Sequence, residues 1–248
     1  MLSVLVPVYH IPIAWFSQCL SSIETEAARF EALHPGEPAT EIVLVNDGIT
    51  QVELLAYLDT LRGQPRMRVV DAPLNLGVPG ALNLGLDACR FDLIARMDFD
   101  DIVLPGRFEA QWQHMQREPD IDVLGTALHY YRPDGRGGWR VGELVRHPEV
   151  ISRNVALRSL WFMNHPTVMI RRTALLAVGA YDESLRGRAE DYELWIRMLR
   201  RGRVLHNLPQ PFHLLRTRPG SVSQAQRPDN LAFMRSLQAA LAADAATM

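Results

Sequence analysis

The chain has 248 residues, 48% of them hydrophobic, and its 26 basic and 28 acidic side chains leave a formal net charge of −2. That length allows a substantial buried core, and the near-neutral balance gives no electrostatic reason to expect a nucleic-acid partner. No apolar run approaches the roughly 18–20 residues that span a bilayer, and no basic stretch followed by a signal-type apolar segment opens the chain, so a soluble, cytoplasmic protein is expected.

Leu2 to Val8 is a near-continuous apolar run, the pattern of a strand buried on both faces. Trp15, Phe16, Cys19, Leu20, Ile23 and Ala27 then recur at helical spacing. Glu41–Asn46 reads as a strand, Val52–Leu61 as a helix, Met67–Asp71 as a strand, Val78–Ala88 as a helix and Phe91–Met97 as a strand. This alternation predicts an α/β fold with a mostly parallel sheet. The second half is mixed: a helix over Pro105–Arg117, a strand over Asp122–Tyr131, a hairpin turn at Pro133–Gly138 and a strand over Thr167–Ile170. Helices over Arg172–Val178 and Glu190–Arg201, a short strand near Pro211–Leu215 and a tail helix over Asp229–Ala243 follow, the last expected to fray at its alanine-rich end. No repeat or linker interrupts the sequence, so one integrated domain over 1–248 is expected.

Some chemistry is excluded at once. Lysine is absent, which rules out a Walker-type phosphate lysine and any Schiff base on lysine. Cys19 and Cys89 fall among apolar neighbours and read as buried small hydrophobes, not as a disulfide or a zinc site.

The most informative run is Arg96-Met97-Asp98-Phe99-Asp100-Asp101. If the strand continues through it, Asp98 and Asp100 share a face, and two convergent carboxylates suit a divalent cation bound with a substrate phosphate. The alternative is an acidic turn that caps the helix beginning near Pro105. In open α/β sheets ligands bind beyond the strand carboxyl ends, so Pro7-Val8-Tyr9, Asn46-Asp47-Gly48 and Asp98–Asp101 can line one crevice. Asp47 could accept from the imide N–H of a uracil or thymine, or could belong to an ordinary Asp-Gly turn. Asp191 begins the apolar stripe of Leu194, Trp195 and Met198, which makes it a candidate general base or a helix cap. Arg216 and Arg218 on an irregular segment suit a pyrophosphate or a solvated loop. His165 reads as a structural hydrogen-bonding residue, because no second histidine stands at metal-ligand spacing.

Taken in order, several segments resemble a bacterial family 2 glycosyltransferase of the GT-A fold, a Rossmann-like nucleotide-diphospho-sugar transferase architecture. They are Ser3–Tyr9, Val45–Gly48, Asn75–Gly77 with Ala81–Gly85, Arg96–Asp101 with Pro105 and Arg107-Phe108, Asn164–Pro166, Gly179–Asp182, Glu190–Trp195 and Arg216–Ser223. The resemblance implies an inverting transferase that moves a sugar from a nucleotide diphosphate donor, UDP first, to a saccharide or lipid-linked saccharide acceptor hydroxyl. It places Pro7 and Tyr9 beside the nucleoside and Asp47 on the base. Asn75, Asn83, Arg96, Asp98, Arg216 and Arg218 fall with the donor, and Asp100 with Asp98 on Mn²⁺ or Mg²⁺. Asp191 becomes the general base, supported by Glu190. It also implies a nucleotide-sugar half over 1–101, an acceptor half over 102–227 and a helical tail over 228–248. The Asp98–Gly125 stretch resembles transferases that build surface polysaccharides, which implies a peripheral contact with the membrane if the acceptor is lipid-linked. Three positions depart from the family pattern: Asn46 stands for a common aspartate, Leu82 for a common arginine and Arg218 for a common histidine.

Rivals fare worse on the residues. A haloacid dehalogenase-type phosphotransferase expects Gly-Thr after Asp-x-Asp and a later lysine, and neither is present. A sugar nucleotidylyltransferase expects a glycine-rich basic loop after the first strand, where Tyr9-His10-Ile11-Pro12 stands. A catalytically inactive nucleotide-sugar-binding scaffold is the non-enzymatic alternative.

Overall fold

The computed structural model describes residues 1–36, 40–217 and 227–246. Four strands, β1 (Leu2–Val8), β2 (Thr40–Asn46), β3 (Met67–Asp71) and β4 (Leu93–Arg96), pair in parallel in the order β3-β2-β1-β4. Strand order therefore reverses between β1 and β4, which opens a crevice at their carboxyl ends. The helices α1 (Ile13–Leu33), α2 (Val52–Leu61) and α3 (Gly77–Ala88) are the crossovers. Alternation along β1 divides the core: Val4 and Val6 face α1 and α2, whereas Leu5 faces α3. Gly85 is the point of closest approach, where a Cβ would collide with Leu5 and Val45.

Beyond β4 the sheet turns mixed, continuing β8-β6-β9-β5, with β7 paired to β6. Here β5 is Ile102–Val103, β6 Ile121–Pro133, β7 Trp139–Val145, β8 Met169–Arg171 and β9 Val204–Arg216. The expected hairpin closes with the Asp134 N–H on the Gly138 carbonyl at 3.0 Å. Strand β9 is far longer than the expected Pro211–Leu215, and it carries two prolines, Pro209 and Pro211, which cannot donate to a ladder. The β6–β9 register shifts between Thr126 and Ala127, which are paired with Leu208 and Pro211, and that irregularity accommodates both prolines.

The remaining helices are α4 (Arg107–Arg117), α5 (Arg153–Arg158), α6 (Arg172–Ala177), α7 (Glu190–Arg200) and α8 (Arg227–Ala246). The acidic cluster does not cap α4. Glu26, buried on α1, does so: its carboxylate accepts from the Gly106 N–H at 2.9 Å and the Phe108 N–H at 3.0 Å. The tail helix also differs from expectation, since it docks: Met234 and Leu241 are buried, and Arg200 pairs with Asp244 at 2.5 Å. The apolar stripe of Phe233, Met234, Leu237 and Leu241 supplies the burial that an isolated alanine-rich helix lacks.

Removing the Glu26 carboxylate strands two buried helix-end donors, so Glu26→Ala is expected to lower unfolding free energy by about 1–3 kcal/mol in denaturant titration. A conserved denaturation midpoint would show that water caps α4 equally well.

Candidate active site

The backbone after β4 is not extended. The strand ends at Arg96, and Phe99 and Asp100 lie in a turn, so the shared-face argument from strand alternation does not describe how the carboxylates are presented. The turn gives each aspartate a separate environment. Asp98 pairs through Oδ1 with Arg96 Nη2 at 2.6 Å and remains partly exposed. Asp100 is also partly exposed, and its main-chain carbonyl accepts from Arg216 Nε at 2.7 Å. Asp101 is 2% exposed: Oδ2 meets His213 Nε2 at 2.7 Å and Oδ1 accepts from the Arg216 N–H at 2.8 Å. Burial, reinforced by the charge of Asp98, pushes the Asp101 carboxyl well above the usual range. Burial likewise holds His213 well below the ordinary imidazole value. The Asp101–His213 contact is thus a buried hydrogen bond that anchors the turn to β9.

Arg96 is the hub of the site. It is 4% exposed, and its Nε and Nη1 have no hydrogen-bond partner among the described residues. Burial opposes its charge, but Asp98 outweighs that penalty and keeps the guanidinium strongly basic. The same charge acts on Glu190 and Asp191 at the start of α7, and so, with opposite sign, does Asp98. Glu190 is pushed up to about 7 by burial and by the charge of Asp191. The Asp191 carboxyl is raised by burial, an effect opposed by the Tyr192 N–H, which donates to Oδ1 at 2.8 Å, and by Arg96. These carboxylates are delivered by a left-handed Ala189 at φ 51°, a backbone state that costs an L-residue energy and recurs at functional sites. His165, buried, contacts the Tyr181 hydroxyl through Nε2 at 2.9 Å, as befits a structural histidine.

The residues expected beside the nucleoside are held by more bonds within the protein than the sequence implied. Asp47 is 4% exposed and accepts from the Leu76 N–H at 2.6 Å, the Gly77 N–H at 3.1 Å and Asn75 Nδ2 at 3.1 Å. That uses about three of a carboxylate's four acceptor sites and places its charge at the N-terminus of α3. Gly48, at φ 72°, lets the two loops meet, because a Cβ there would strike the Asn75 backbone. Asn75 also bridges to Arg186, which donates to its carbonyl at 2.6 Å and to Oδ1 at 2.7 Å. Asn83 is engaged elsewhere, joining α3 to the Tyr181 backbone at 2.9 Å and 3.0 Å and to Glu183 at 2.8 Å. Pro7 is buried in β1, whereas Tyr9 is 39% exposed and stacked on His10 with centroids 4.2 Å apart.

Arg216 is only 4% exposed, held between Trp139, Trp15 and Tyr131 at 4.4, 5.0 and 5.2 Å from their ring centroids. Its Nη2 donates to Gln18 at 2.6 Å, and its Nη1 is buried without a partner among the described residues. Arg218 lies outside the described residues. The aromatic cage, Arg186 and the Asp101–His213 pair were not read from sequence, since each joins residues far apart in the chain with no local signature.

Among the described residues no cluster of three or more His, Cys, Asp and Glu side chains forms a ready-made metal cage. Divalent cations in phosphate chemistry need fewer protein ligands, commonly one or two carboxylates plus phosphate oxygens. Two partly exposed, hard-oxygen donors at a strand end fit that donor set.

The family model described as glycosyl transferase family 2 matches residues 3–179. The chain belongs to this family. Among its relatives, the amylovoran biosynthesis glycosyltransferase AmsE of Erwinia amylovora is 33% identical over 204 residues, covering 82% of this chain and 70% of that protein. The UDP-Gal:alpha-D-GlcNAc-diphosphoundecaprenol beta-1,3-galactosyltransferase of Escherichia coli is 29% identical over 173 residues, 68% of this chain and 60% of that one. The transferase also superposes on S. aureus TarS 1-349 in complex with UDP, with a TM-score of 0.68 and 18% identity over 97% of this chain and 64% of that one. The complex of TarS 1-349 with UDP-GlcNAc gives a TM-score of 0.66 and 19% identity over 90% of this chain and 60% of that one. This chain therefore spans less than two thirds of those TarS chains, and the likeness establishes the GT-A type of fold.

Replacing Arg96 by Met leaves Asp98, Glu190 and Asp191 without their shared cation. Arg96→Met is expected to cost about 3–5 kcal/mol of unfolding free energy near neutral pH, and less near pH 5 where Glu190, pushed up to about 7, is protonated. Equal losses at both pH values would show that Arg96 acts through packing alone.

Proposed function

We propose that this transferase moves a sugar, with inversion, from a UDP-sugar to a saccharide or lipid-linked saccharide hydroxyl during surface-polysaccharide synthesis. The observation that carries the reading is the meeting of two carboxylate groups at Arg96: the Asp98–Asp100 turn at a strand end and the Glu190–Asp191 pair at a helix start. UDP is favoured because the TarS structures of this fold bind UDP and UDP-GlcNAc. The polysaccharide role and the lipid-linked acceptor follow the names of the AmsE and galactosyltransferase relatives.

In this reading Asp98 and Asp100 hold Mn²⁺ or Mg²⁺, which when bound neutralises charge on the diphosphate. Asp191 takes the proton of the acceptor hydroxyl as its oxygen bonds to the anomeric carbon. The bond from that carbon to the diphosphate breaks in the same displacement, and the diphosphate leaves with the electron pair. Glu190 orients the acceptor and, by its charge, keeps Asp191 basic. Arg96 holds Asp98 in place and prevents the four carboxylates from repelling one another open. Tyr9 and Pro7 border the nucleoside. Asp47 has about one acceptor site left for the imide N–H of the base, and Asn75 keeps it oriented. Arg216 acts on the diphosphate through its remaining donor and otherwise fixes the position of Asp100. Among the described residues no helix is long and apolar enough to cross a membrane. In this reading a lipid-linked acceptor is met by a peripheral contact. Residues 1–101 supply most of the donor site, and 102–227 the acceptor side, the base and the Arg216 contact to the diphosphate, within one catalytic unit.

Calorimetry of UDP with Mn²⁺ tests the donor side. Binding should need the metal and fall below detection in Asp100→Ala, while Asp191→Asn keeps UDP affinity but loses about 10²–10⁴-fold in turnover, the usual worth of a general base. Metal-independent UDP binding, or full turnover by Asp191→Asn, would overturn the assignment.

The raised carboxyls make a second test. Because Asp191 must be ionised to accept a proton and burial raises its carboxyl, kcat/KM should fall on the acid side at a higher pH than an ordinary aspartate would give. Glu190→Gln removes a neighbouring negative charge and should move that limb to lower pH. The stability effect has the opposite sense: a carboxyl whose folded pKa is raised stabilises the fold at low pH and loses that contribution as pH rises through about 7. Glu190→Gln should therefore be more stable than wild type above pH 7, by roughly 1–3 kcal/mol. Superimposable pH–stability curves would contradict the burial of this charge.

A further inference from the structure

A cavity of about 130 Å³ opens beside Asp191, lined by the start of α7, the Leu160–Met163 segment and α8. Three of its lining residues carry a buried polar atom with no partner among the described residues: the Tyr192 hydroxyl, Trp195 Nε1 and Asn230 Oδ1. Tyr192 is 3% and Trp195 1% exposed, so neither polar group is compensated by bulk water. An unsatisfied buried donor or acceptor costs about 1–3 kcal/mol, and such groups beside a cavity are completed by water or a ligand. Trp161 also lines the cavity, and at 55% exposure its indole presents a free apolar face.

The lining also says what does not bind. It contains one carboxylate, Asp191, and no basic side chain, so a phosphate or other anion has nothing to neutralise it. An aromatic platform with uncharged donors and acceptors matches a pyranose ring, which offers a C–H face and a rim of hydroxyls. The position in the chain is informative too. The family match ends at residue 179, whereas Asp191, Tyr192, Trp195 and Asn230 all lie beyond it.

We propose that this cavity is the acceptor-sugar subsite, that it takes a neutral pyranoside, and that Trp161 and Asn230 set which one is accepted. The proposal rests on the reading of Asp191 as the group that takes the acceptor proton. A hydroxyl of the bound ring faces Asp191, the indole of Trp161 carries the ring face, and Asn230 brings the tail helix into acceptor recognition.

Saturation-transfer NMR and tryptophan fluorescence on the full chain provide the test. The probes are methyl β-galactoside, methyl β-glucoside, methyl N-acetyl-β-glucosaminide and, as an anionic control, methyl β-glucuronide. One neutral glycoside should bind in preference to the glucuronide. Trp161→Ala and Asn230→Ala should each weaken it by about tenfold, the scale of one lost hydrogen bond or stacking contact. Tyr192→Phe, which removes only a hydroxyl, guards against loss of fold and should weaken it in the same direction. UDP affinity, measured on the same samples, should be unchanged in all three variants. The subsite is refuted if no neutral glycoside binds, if the glucuronide binds best, or if affinity ignores all three substitutions. Normal UDP binding beside any of those outcomes removes the subsite alone, whereas glycoside binding without UDP binding removes the donor reading and leaves the subsite standing.

Discussion

The site depends on one buried cation. Carboxylates from a strand end and a helix start are brought together in a partly dry crevice, where their mutual repulsion would spread the two elements apart. Arg96 sits at the end of β4 with its charge felt on both sides, at Asp98 by direct contact and at Glu190 and Asp191 through the field. Arginine suits the position better than lysine: it cannot shed its proton when buried, and its fork serves more than one neighbour. Its Nε and Nη1 have no hydrogen-bond partner among the described residues, which leaves donors to spare on the buried cation. The balance is incomplete by design of the residues present, since Glu190 is still held near neutrality and Asp191 is still raised.

A second mooring works on the opposite side of the acidic turn. Asp101 is fixed by His213 and by the Arg216 backbone, and the Arg216 side chain reaches the Asp100 carbonyl while caged by rings from α1, β6 and β7. Three parts of the fold thereby fix the backbone that carries the partly exposed Asp100 carboxylate. The irregular pairing of β9 with β6 belongs to the same arrangement, because the shift near Pro211 decides where the strand places Arg216 at its end.

Much of the framework was legible in the sequence because it rests on short-range pattern. The apolar run of β1, the helical stripe of α1 and the Gly-rich hairpin each announce themselves within about ten residues. Likewise Asp98, Asp100 and Asp191 could be singled out as carboxylates at element ends. What could not be read was what each would touch. Asp47 reads as a base-binding carboxylate or an Asp-Gly turn, but its bonds to the start of α3 are not legible, since nothing at residue 47 signals that residues 75–77 will return to it. Strand alternation stops describing the chain at Arg96, beyond which it turns, and the length of β9 follows from its pairing with β6, which no local pattern records. The tail looked prone to fray because its own composition carries no record of the surface that buries Leu241.

The bonds around Asp47 have a consequence for how the crevice receives a ligand. With the loop after β2 stitched to the first turn of α3, and Asn75 stitched in turn to Arg186, that wall is held by the protein's own hydrogen bonds. A molecule docking against it need not order a floppy loop, so association loses little to conformational entropy. The wall also has little slack with which to adapt. Selection there acts as a rigid template does, by rejecting shapes that do not fit, and whatever induced adjustment the transferase makes must take place elsewhere in the crevice.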